Sequence, residues 1–482
     1  MDVITPTWVH DAVFYQIFPD RFAISSRVPK PANLEPWDSA PTPQGYKGGD
    51  LLGIVEHLDH LVDLGVDAIY FTPIFQSACN HRYHTHDYLR VDPLLGGDAA
   101  LETLIDACHA RGIKVVLDGV FNHASRGFFQ FNDILENGPH SPYLDWFYIE
   151  DWPLSAYDGR YPANYRSWVD NRALPKFNTD NPEVREFIMQ VAEYWLRKGI
   201  DGWRLDVPFE ITTPGFWQEF RQRVKALNPE AYIVGEVWTN AQEWLAGDQF
   251  DAVMNYLFTE AVIAYTAGPR VLHALVEGRG YDPRTPLTAS DYAAKIDALL
   301  ALYPWPVTLA QLNLLSSHDT ARFLSIAGED YGSVRLATLL QFTFPGAPSI
   351  YYGDEIGLAG GQEPDSRRSF PWDAPERWDQ RILTLHRDLI TLRHTHPALR
   401  TGTYLPVYAD DAVLVFARRL GETTILVATN SSDDLRSVTF TTDLFPEGTI
   451  LQPLFGSSDL VPVAGGAATL LVPARDGLVL GG

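Results

Sequence analysis

Short apolar runs alternate with longer amphipathic stretches over the first four hundred residues. Residues 13–19 are apolar except for Gln16 and stop at Pro19, which predicts a buried strand. Residues 23–47 carry Pro29, Pro31, Pro36, Pro41 and Pro43 and read as a long loop. Ile54, Leu58, Leu61 and Val62 then recur at helical spacing, up to a stop at Gly65. A second strand is predicted at 68–71. Leu101, Leu104, Ile105 and Cys108 mark a helix ending at Gly112, and 114–118 is a third strand. The alternation continues with a helix at 183–198, a strand at 202–206, a helix around 217–227 and a strand at 232–236. A weaker strand follows at 252–254. After a long helical region come a strand at 312–316, a helix at 331–343 and a strand at 349–352. Eight strands, each followed by helical sequence, predict a closed parallel (β/α)8 TIM barrel of the α/β class. An open doubly wound sheet is the rival, weakened because no Gly-rich phosphate loop follows a strand.

Two stretches break the alternation. Residues 122–178 show little periodicity but hold Phe128, Phe129, Phe131, Tyr143, Trp146, Phe147, Tyr148, Trp152, Tyr161, Tyr165 and Trp168. A connection of that length is usually functional, so it is expected to form a subdomain over the barrel mouth. Beyond about residue 400, short strands at 413–416, 423–428, 438–441 and 468–472 predict an antiparallel β-sandwich. The expected division is therefore a barrel over 1–121 and 179–398, an inserted subdomain over 122–178, and an all-β domain over 399–482.

Composition narrows the partners. The 61 acidic residues outnumber the 37 basic ones, and a net charge of −24 would repel nucleic-acid phosphates. Thirteen Trp and 22 Tyr supply the flat faces and hydrogen-bonding tips that sugars need, although a large core would also use them. Cys79 and Cys108 are the only cysteines, too few for a disulfide framework or a Cys-based zinc site. The first residues show no basic, apolar leader, and no run is long enough to span a membrane, so a cytoplasmic location is expected.

In a barrel enzyme the chemistry sits at the C-terminal strand ends. Strand three ends in Asp118 and runs on to His123; strand four ends in Arg204 and Asp206. Strand five ends in Glu236 and Trp238, and strand seven in His318 and Asp319. Residues two apart on a strand share a face, so Arg204 and Asp206 are expected to project together. The guanidinium is expected to push the Asp206 pKa down and keep it ionised. Four carboxylate-bearing strand ends on one rim would be costly crowding without a function. Asp206, Glu236 and Asp319 suit glycoside hydrolysis, which needs one ionised carboxylate and one carboxylic acid flanking the bond. A divalent-metal site is the competing reading, but closely spaced Asp/Asn ligands and an H-E-x-x-H pattern are missing.

In motif order, 118–123, 202–206, Glu236, His318-Asp319 and 346–355 resemble an α-amylase-type glycoside hydrolase, a retaining family acting on α-glucans. The resemblance implies Asp206 as nucleophile, Glu236 as general acid and then base, and Asp319 as the third carboxylate. It implies sugar contacts from His81, Tyr83, His123, His318 and Arg367, beside Arg204. The stretch 174–178, with Trp203, Glu210 and Trp238, is similar to the cyclomaltodextrinase, maltogenic amylase and neopullulanase group. In that group Phe209, Glu210 and Trp238 would line the leaving-group side. The N-terminal β domain usual there is expected to be absent, since the first strand starts near Val13.

Many relatives bind calcium. Here Lys176 stands where a carboxylate is common and Glu210 where a histidine is, while Asp50 remains of a second site. No cofactor and no metal are therefore expected. The expected substrate is an α-1,4-linked maltooligosaccharide, cyclodextrin or starch-type glucan. The alternatives are an α-glucosidase, a sucrose-active enzyme or a glucanotransferase on the same barrel, or a non-catalytic glucan-binding relative.

Overall fold

The computed structural model describes residues 3–456 and 459–482. Eight parallel strands form the centre: β1 Phe14–Ile17, β2 Ala68–Phe71, β3 Lys114–Gly119, β4 Gly202–Leu205, β5 Tyr232–Gly235, β6 Ala252–Val253, β7 Leu312–Leu314 and β8 Ala347–Tyr351. They pair in the order β6-β5-β4-β3-β2-β1-β8-β7. A parallel bridge between Met254 and Leu312 closes the barrel. That seam is short on regular ladder bonds, and side-chain amides complete it. The Val253 amide donates to Gln311 Oε1 over 3.2 Å, and Asn255 Nδ2 donates to Asn313 Oδ1 over 2.8 Å.

Strand β4 shows how alternation sorts the residues. Trp203 and Leu205 are fully buried between barrel and helices. The Trp203 ring lies 5.5 Å from Phe121 and 6.4 Å from Phe75. Arg204 takes the opposite face and enters the barrel. Only glycine fits at 202, where a Cβ would stand 2.3 Å from the Tyr232 carbonyl oxygen. Trp203, likened above to a residue of one enzyme group, is thus a core residue rather than part of the site.

The helices follow the predicted periodicity with two corrections. The first helical stretch is two helices, Leu51–Glu56 and Leu58–Leu64, broken at His57. Ile54, Leu58 and Leu61 are buried, but Val62 is 44% exposed, because the break rotates the second helix and Leu64 takes the inward position. Residues 122–178 are also not aperiodic: Phe129–Asn137 is a helix. Its pattern was masked because Phe129 is exposed while Phe131 and Ile134 are buried, so apolar residues sit on both faces. Bridges Phe147–Phe177 and Ile149–Tyr165 tie the rest of this segment together.

The C-terminal part contains β9 Thr403–Ala409, β10 Val413–Leu420, β11 Thr423–Asn430, β12 Arg436–Thr441, β13 Ile450–Phe455, β14 Val461–Pro462, β15 Ala467–Val472 and β16 Asp476–Gly481. A six-stranded sheet of order β9-β10-β11-β16-β13-β14 accompanies the β12–β15 pair. Val415, Leu426, Val438, Leu470 and Leu478 belong to their common core. Four of these strands lie outside the expected set; Pro406, Pro453, Pro462 and the glycines flanking β16 disguise them. Among the described residues no helix is long and apolar enough to cross a membrane.

Trp203→Ala is expected to cost about 3–5 kcal/mol of stability through the cavity it leaves. Urea unfolding followed by fluorescence measures this as a lower midpoint, while the variant keeps near-native circular dichroism before the transition.

Candidate active site

The strand ends converge on Arg204, which is completely buried. Its Nη1 lies 2.9 Å from Asp118 Oδ2 and 3.2 Å from Asp206 Oδ1. Its Nη2 lies 3.0 Å from Glu236 Oε2, an ion pair without hydrogen-bond alignment. One positive charge therefore serves three buried carboxylates. Burial raises the Asp118 pKa to about 6, against the pull of Arg204. Burial also raises Asp206 well above the ordinary carboxylate range, and the neighbouring Glu236 adds to this. Glu236 is raised for the same first reason, with Arg204 opposing and Asp319 adding. The expectation that Arg204 alone depresses Asp206 is thus corrected: one guanidinium cannot offset burial and a second carboxylate together. The Asp206–Glu236 pair titrates as a unit that retains a proton to higher pH than isolated acids.

The chain leaves β4 through an unusual residue. Val207, β-branched, sits at φ 35° and ψ 52°, in the left-handed region. That conformation costs free energy and marks a site where the surroundings override local preference. It aims the Val207 amide at Glu236 Oε2, 3.1 Å away. Trp238 Nε1 donates to the other oxygen, Oε1, over 3.0 Å. Glu236 is thereby held by strand β4 as well as by its own strand.

A second network comes from β1, β7 and the loop after β2. Gln16 Nε2 donates to His318 Nδ1 over 2.8 Å. His318 Nε2 lies 2.6 Å from the Tyr83 hydroxyl and 3.1 Å from Asp319 Oδ2. The Tyr83 hydroxyl donates to Asp118 Oδ2 over 2.8 Å, and its ring lies parallel to His318 at 5.5 Å. Arg367 Nε donates to the His318 carbonyl over 2.9 Å, and its Nη2 stands 3.4 Å from Asp319 Oδ1 and beside Glu363. Arg368, its neighbour, turns away to Asp365. Burial lowers the His318 pKa and takes His123 to about 3, so both rings are neutral at physiological pH.

Around this centre stands an aromatic wall. Trp238 stacks on Tyr256 at 3.6 Å, with Tyr281 at 5.9 Å from Trp238. His123 stacks on Trp168 of the inserted segment at 5.4 Å, and its buried Nε2 has no protein partner. An unsatisfied buried nitrogen is a candidate for a ligand hydroxyl. His81 lies at the rim, its ring 5.7 Å from Tyr83. Phe209 is 41% exposed on the turn after Val207, at the edge of the site rather than within it. Glu210 is engaged by Lys176, whose Nζ lies 2.7 Å from Oε2 and 2.8 Å from the Glu210 carbonyl oxygen.

Those contacts decide whether calcium fits. The Lys176 ammonium already lies against the oxygens that a cation would use, and a second positive charge there would be repelled. Asp50 accepts from the Ser25 and Gly53 amides and pairs with Lys30 Nζ at 2.8 Å, so its oxygens are taken too. The residues present do not fit the family's calcium sites.

Six residues of this constellation were not singled out from sequence as parts of the site: Asp118, Gln16, Tyr256, Tyr281, Trp168 and Glu363. Gln16 carried a signal, as the one polar residue in an apolar strand. Asp118 was visible as a strand-end carboxylate without its role as the second partner of Arg204. Tyr256, Tyr281 and Glu363 come from segments whose proximity to the site is set only by tertiary structure, and Trp168 lies in the segment expected over the barrel mouth, its contact with His123 made by folding.

The comparisons with known proteins agree with this geometry. The chain is similar to the debranching enzyme of Nostoc punctiforme, with 58% identity over the whole of both chains and a TM-score of 0.93. It is 45% identical to a cyclomaltodextrinase of Bacillus sp over 430 residues, covering 88% of this chain and 74% of that protein. It also superposes on the cyclic α-maltosyl-(1→6)-maltose hydrolase of Arthrobacter globiformis, with 38% identity, full coverage of both chains and a TM-score of 0.88. Residues 16–384 match the alpha-amylase catalytic-domain family, and the chain belongs to that family of glycoside hydrolases.

Proposed function

We propose that the protein is a retaining hydrolase of α-1,4-glucosidic bonds in maltooligosaccharides, cyclodextrins and starch-type glucans. The observation carrying this reading is the convergence of Asp206, Glu236 and Asp319 around Arg204 and His318. Two carboxyl groups held by one guanidinium are close together, as a retaining mechanism requires. Asp206 attacks the anomeric carbon and forms the glycosyl-enzyme. Glu236 gives its proton to the departing glycosidic oxygen, then takes one from the water that attacks C1 and releases Asp206. Burial supports this division because it keeps a proton on the pair, while the Nη1 hydrogen bond favours charge on Asp206. Asp319, held by Arg367, and the neutral rings of His123 and His318 bind sugar hydroxyls, with Tyr83 as the platform. His81 and Phe209 act at the rim, and Trp238 and Glu210 border the leaving-group side.

In this reading residues 122–178 act as a subdomain that narrows the cleft, Trp168 being their contact with the site. Charge balance from Lys176 favours activity without calcium. A cytoplasmic location fits the similarity, at 39% identity, to the intracellular maltogenic amylase of Bacillus subtilis. A second reading, cleavage at α-1,6 branch points, is favoured by the 58% identity to a protein named a debranching enzyme. The same aromatic wall could receive either linkage.

Initial rates with EDTA present decide between the two readings. β-Cyclodextrin is expected to be hydrolysed faster than soluble starch, at a rate EDTA does not lower. A 6-O-maltosyl-branched oligosaccharide cleaved faster than its linear counterpart would instead establish the α-1,6 reading. Asp206→Asn is expected to lower kcat by at least ~10⁴-fold with an unchanged unfolding midpoint. Activity retained in this variant refutes the nucleophile assignment.

The pH dependence follows from the directions of the shifts. kcat/KM is expected to be bell-shaped, with an acid limb above the ordinary carboxylate pKa of about 4, because burial and Glu236 raise the titration of Asp206. Arg204→Lys weakens the support of the ionised form and moves that limb to still higher pH. An acid limb at or below the ordinary value contradicts the buried-pair account.

A further inference from the structure

The loop between the short strands Phe75–Ser77 and Thr85–Val91 holds a cluster of which two members, Cys79 and His84, take no part in the proposed chemistry, while the third, His81, stands at the rim of the site. Cys79, His81 and His84 each offer a donor atom, and all three atoms lie within 4.8 Å of one another. Cys79 Sγ stands 3.5 Å from His81 Nδ1. Two such donors on one tetrahedral zinc ion would be about 3.6 Å apart, given Zn–S and Zn–N bonds of about 2.3 and 2.0–2.1 Å. The His84 ring meets His81 edge-on at 5.3 Å.

The loop backbone is fixed in advance. Asn80 Nδ2 donates to the Pro43 and Gly45 carbonyls, and Arg82 is buried against Asp92 with Nη1 on the Asn80 carbonyl. Ser77 Oγ accepts from the Cys79 amide and donates to the His84 carbonyl. Asn80 and Arg82 are thus anchored away from the cluster, which leaves residues 79, 81 and 84 together. The Tyr83 amide donates to His81 Nδ1 over a long 3.3 Å, which assigns the lone pair to that nitrogen.

We propose that Cys79, His81 and His84 form a binding site for Zn²⁺, and that its occupation slows turnover. One thiolate and two imidazoles suit a borderline-soft ion and not calcium or magnesium. Binding replaces the thiol proton, which leaves to solvent, and the long Tyr83–His81 hydrogen bond. Three protein ligands leave the fourth position to water. The effect on turnover rests on the functional reading above: His81 borders Tyr83, so the ion fixes His81 and places positive charge at the sugar pocket. Sequence counting missed the site because two cysteines alone are too few. Two histidines folded onto one of them change that count.

The test separates binding from activity. The EDTA-treated, desalted protein is titrated with Zn²⁺ against a chromophoric chelator. One equivalent is expected to bind, and Cys79→Ser and His84→Asn are each expected to weaken it by about tenfold or more. Co²⁺ is expected to produce a thiolate charge-transfer absorption that Cys79→Ser abolishes. Zn²⁺ is expected to slow maltooligosaccharide hydrolysis several-fold, reversibly with EDTA, while both variants keep the zinc-free rate and resist inhibition. Failure to bind one equivalent, or variants that bind like the parent, overturns the site. Binding without any change in rate overturns its effect on turnover. If the protein hydrolyses no glucan, the functional reading fails, and the chelator and Co²⁺ titrations still decide the site.

Discussion

A single guanidinium inside the barrel, Arg204, carries the charge that three buried carboxylates require. Carboxylates removed from water are costly to ionise, and stripping away the opposite charge leaves that cost uncompensated. Arg204 cannot satisfy all three at once, and the shortfall appears as raised proton affinity at Asp118, Asp206 and Glu236. The incomplete compensation is useful. A fully neutralised cluster would hold three ionised acids and no proton to give to a leaving group. The surrounding structure maintains the imbalance: Trp203 and Leu205 anchor the other face of β4, and Val207 accepts a strained conformation that turns its amide to Glu236.

The outer parts of the site act on that centre by limiting water and fixing orientation. The Trp238–Tyr256 stack covers one side, and Trp168 on His123 covers another. Inside such walls an electrostatic interaction is stronger than it would be in solvent. The chain Gln16–His318–Tyr83–Asp118 connects the first barrel strand to the third through three neutral groups and ends on Asp118, itself one of the acids that titrate. Lys176 belongs to the same logic. Its ammonium pairs with Glu210, so an ion pair between two side chains ties the inserted segment to the barrel.

The same rim carries the Cys79–His81–His84 cluster, one layer out from Tyr83. Its loop is held by Asn80, which donates to the Pro43 carbonyl, and by Arg82, which pairs with Asp92. Rigidity there serves the platform beneath the sugar, and it also presets the spacing of the three soft donors. A feature required for one ligand thereby creates the conditions for another.

Much of this molecule was legible in its residues. Apolar runs at fixed spacing determined eight strands, because a parallel barrel buries both faces of every strand and tolerates little else. Period two placed Arg204 beside Asp206, and the strand-end carboxylates announced the chemistry. What alternation leaves open is everything that depends on a third group. The direction of the Asp206 shift required knowing that Asp118 and Glu236 share its guanidinium. The inward turn of Leu64 in place of Val62 required the break at His57. The helix Phe129–Asn137 was hidden because its exposed Phe129 faces Tyr143, a contact made by folding. Edge strands containing proline were hidden because only pairing reveals them. The sequence by itself determined the barrel and its acids, since these follow from local period and residue type. Tertiary structure alone decided who shares a charge, a wall or a ligand, since those distances join residues far apart in the chain.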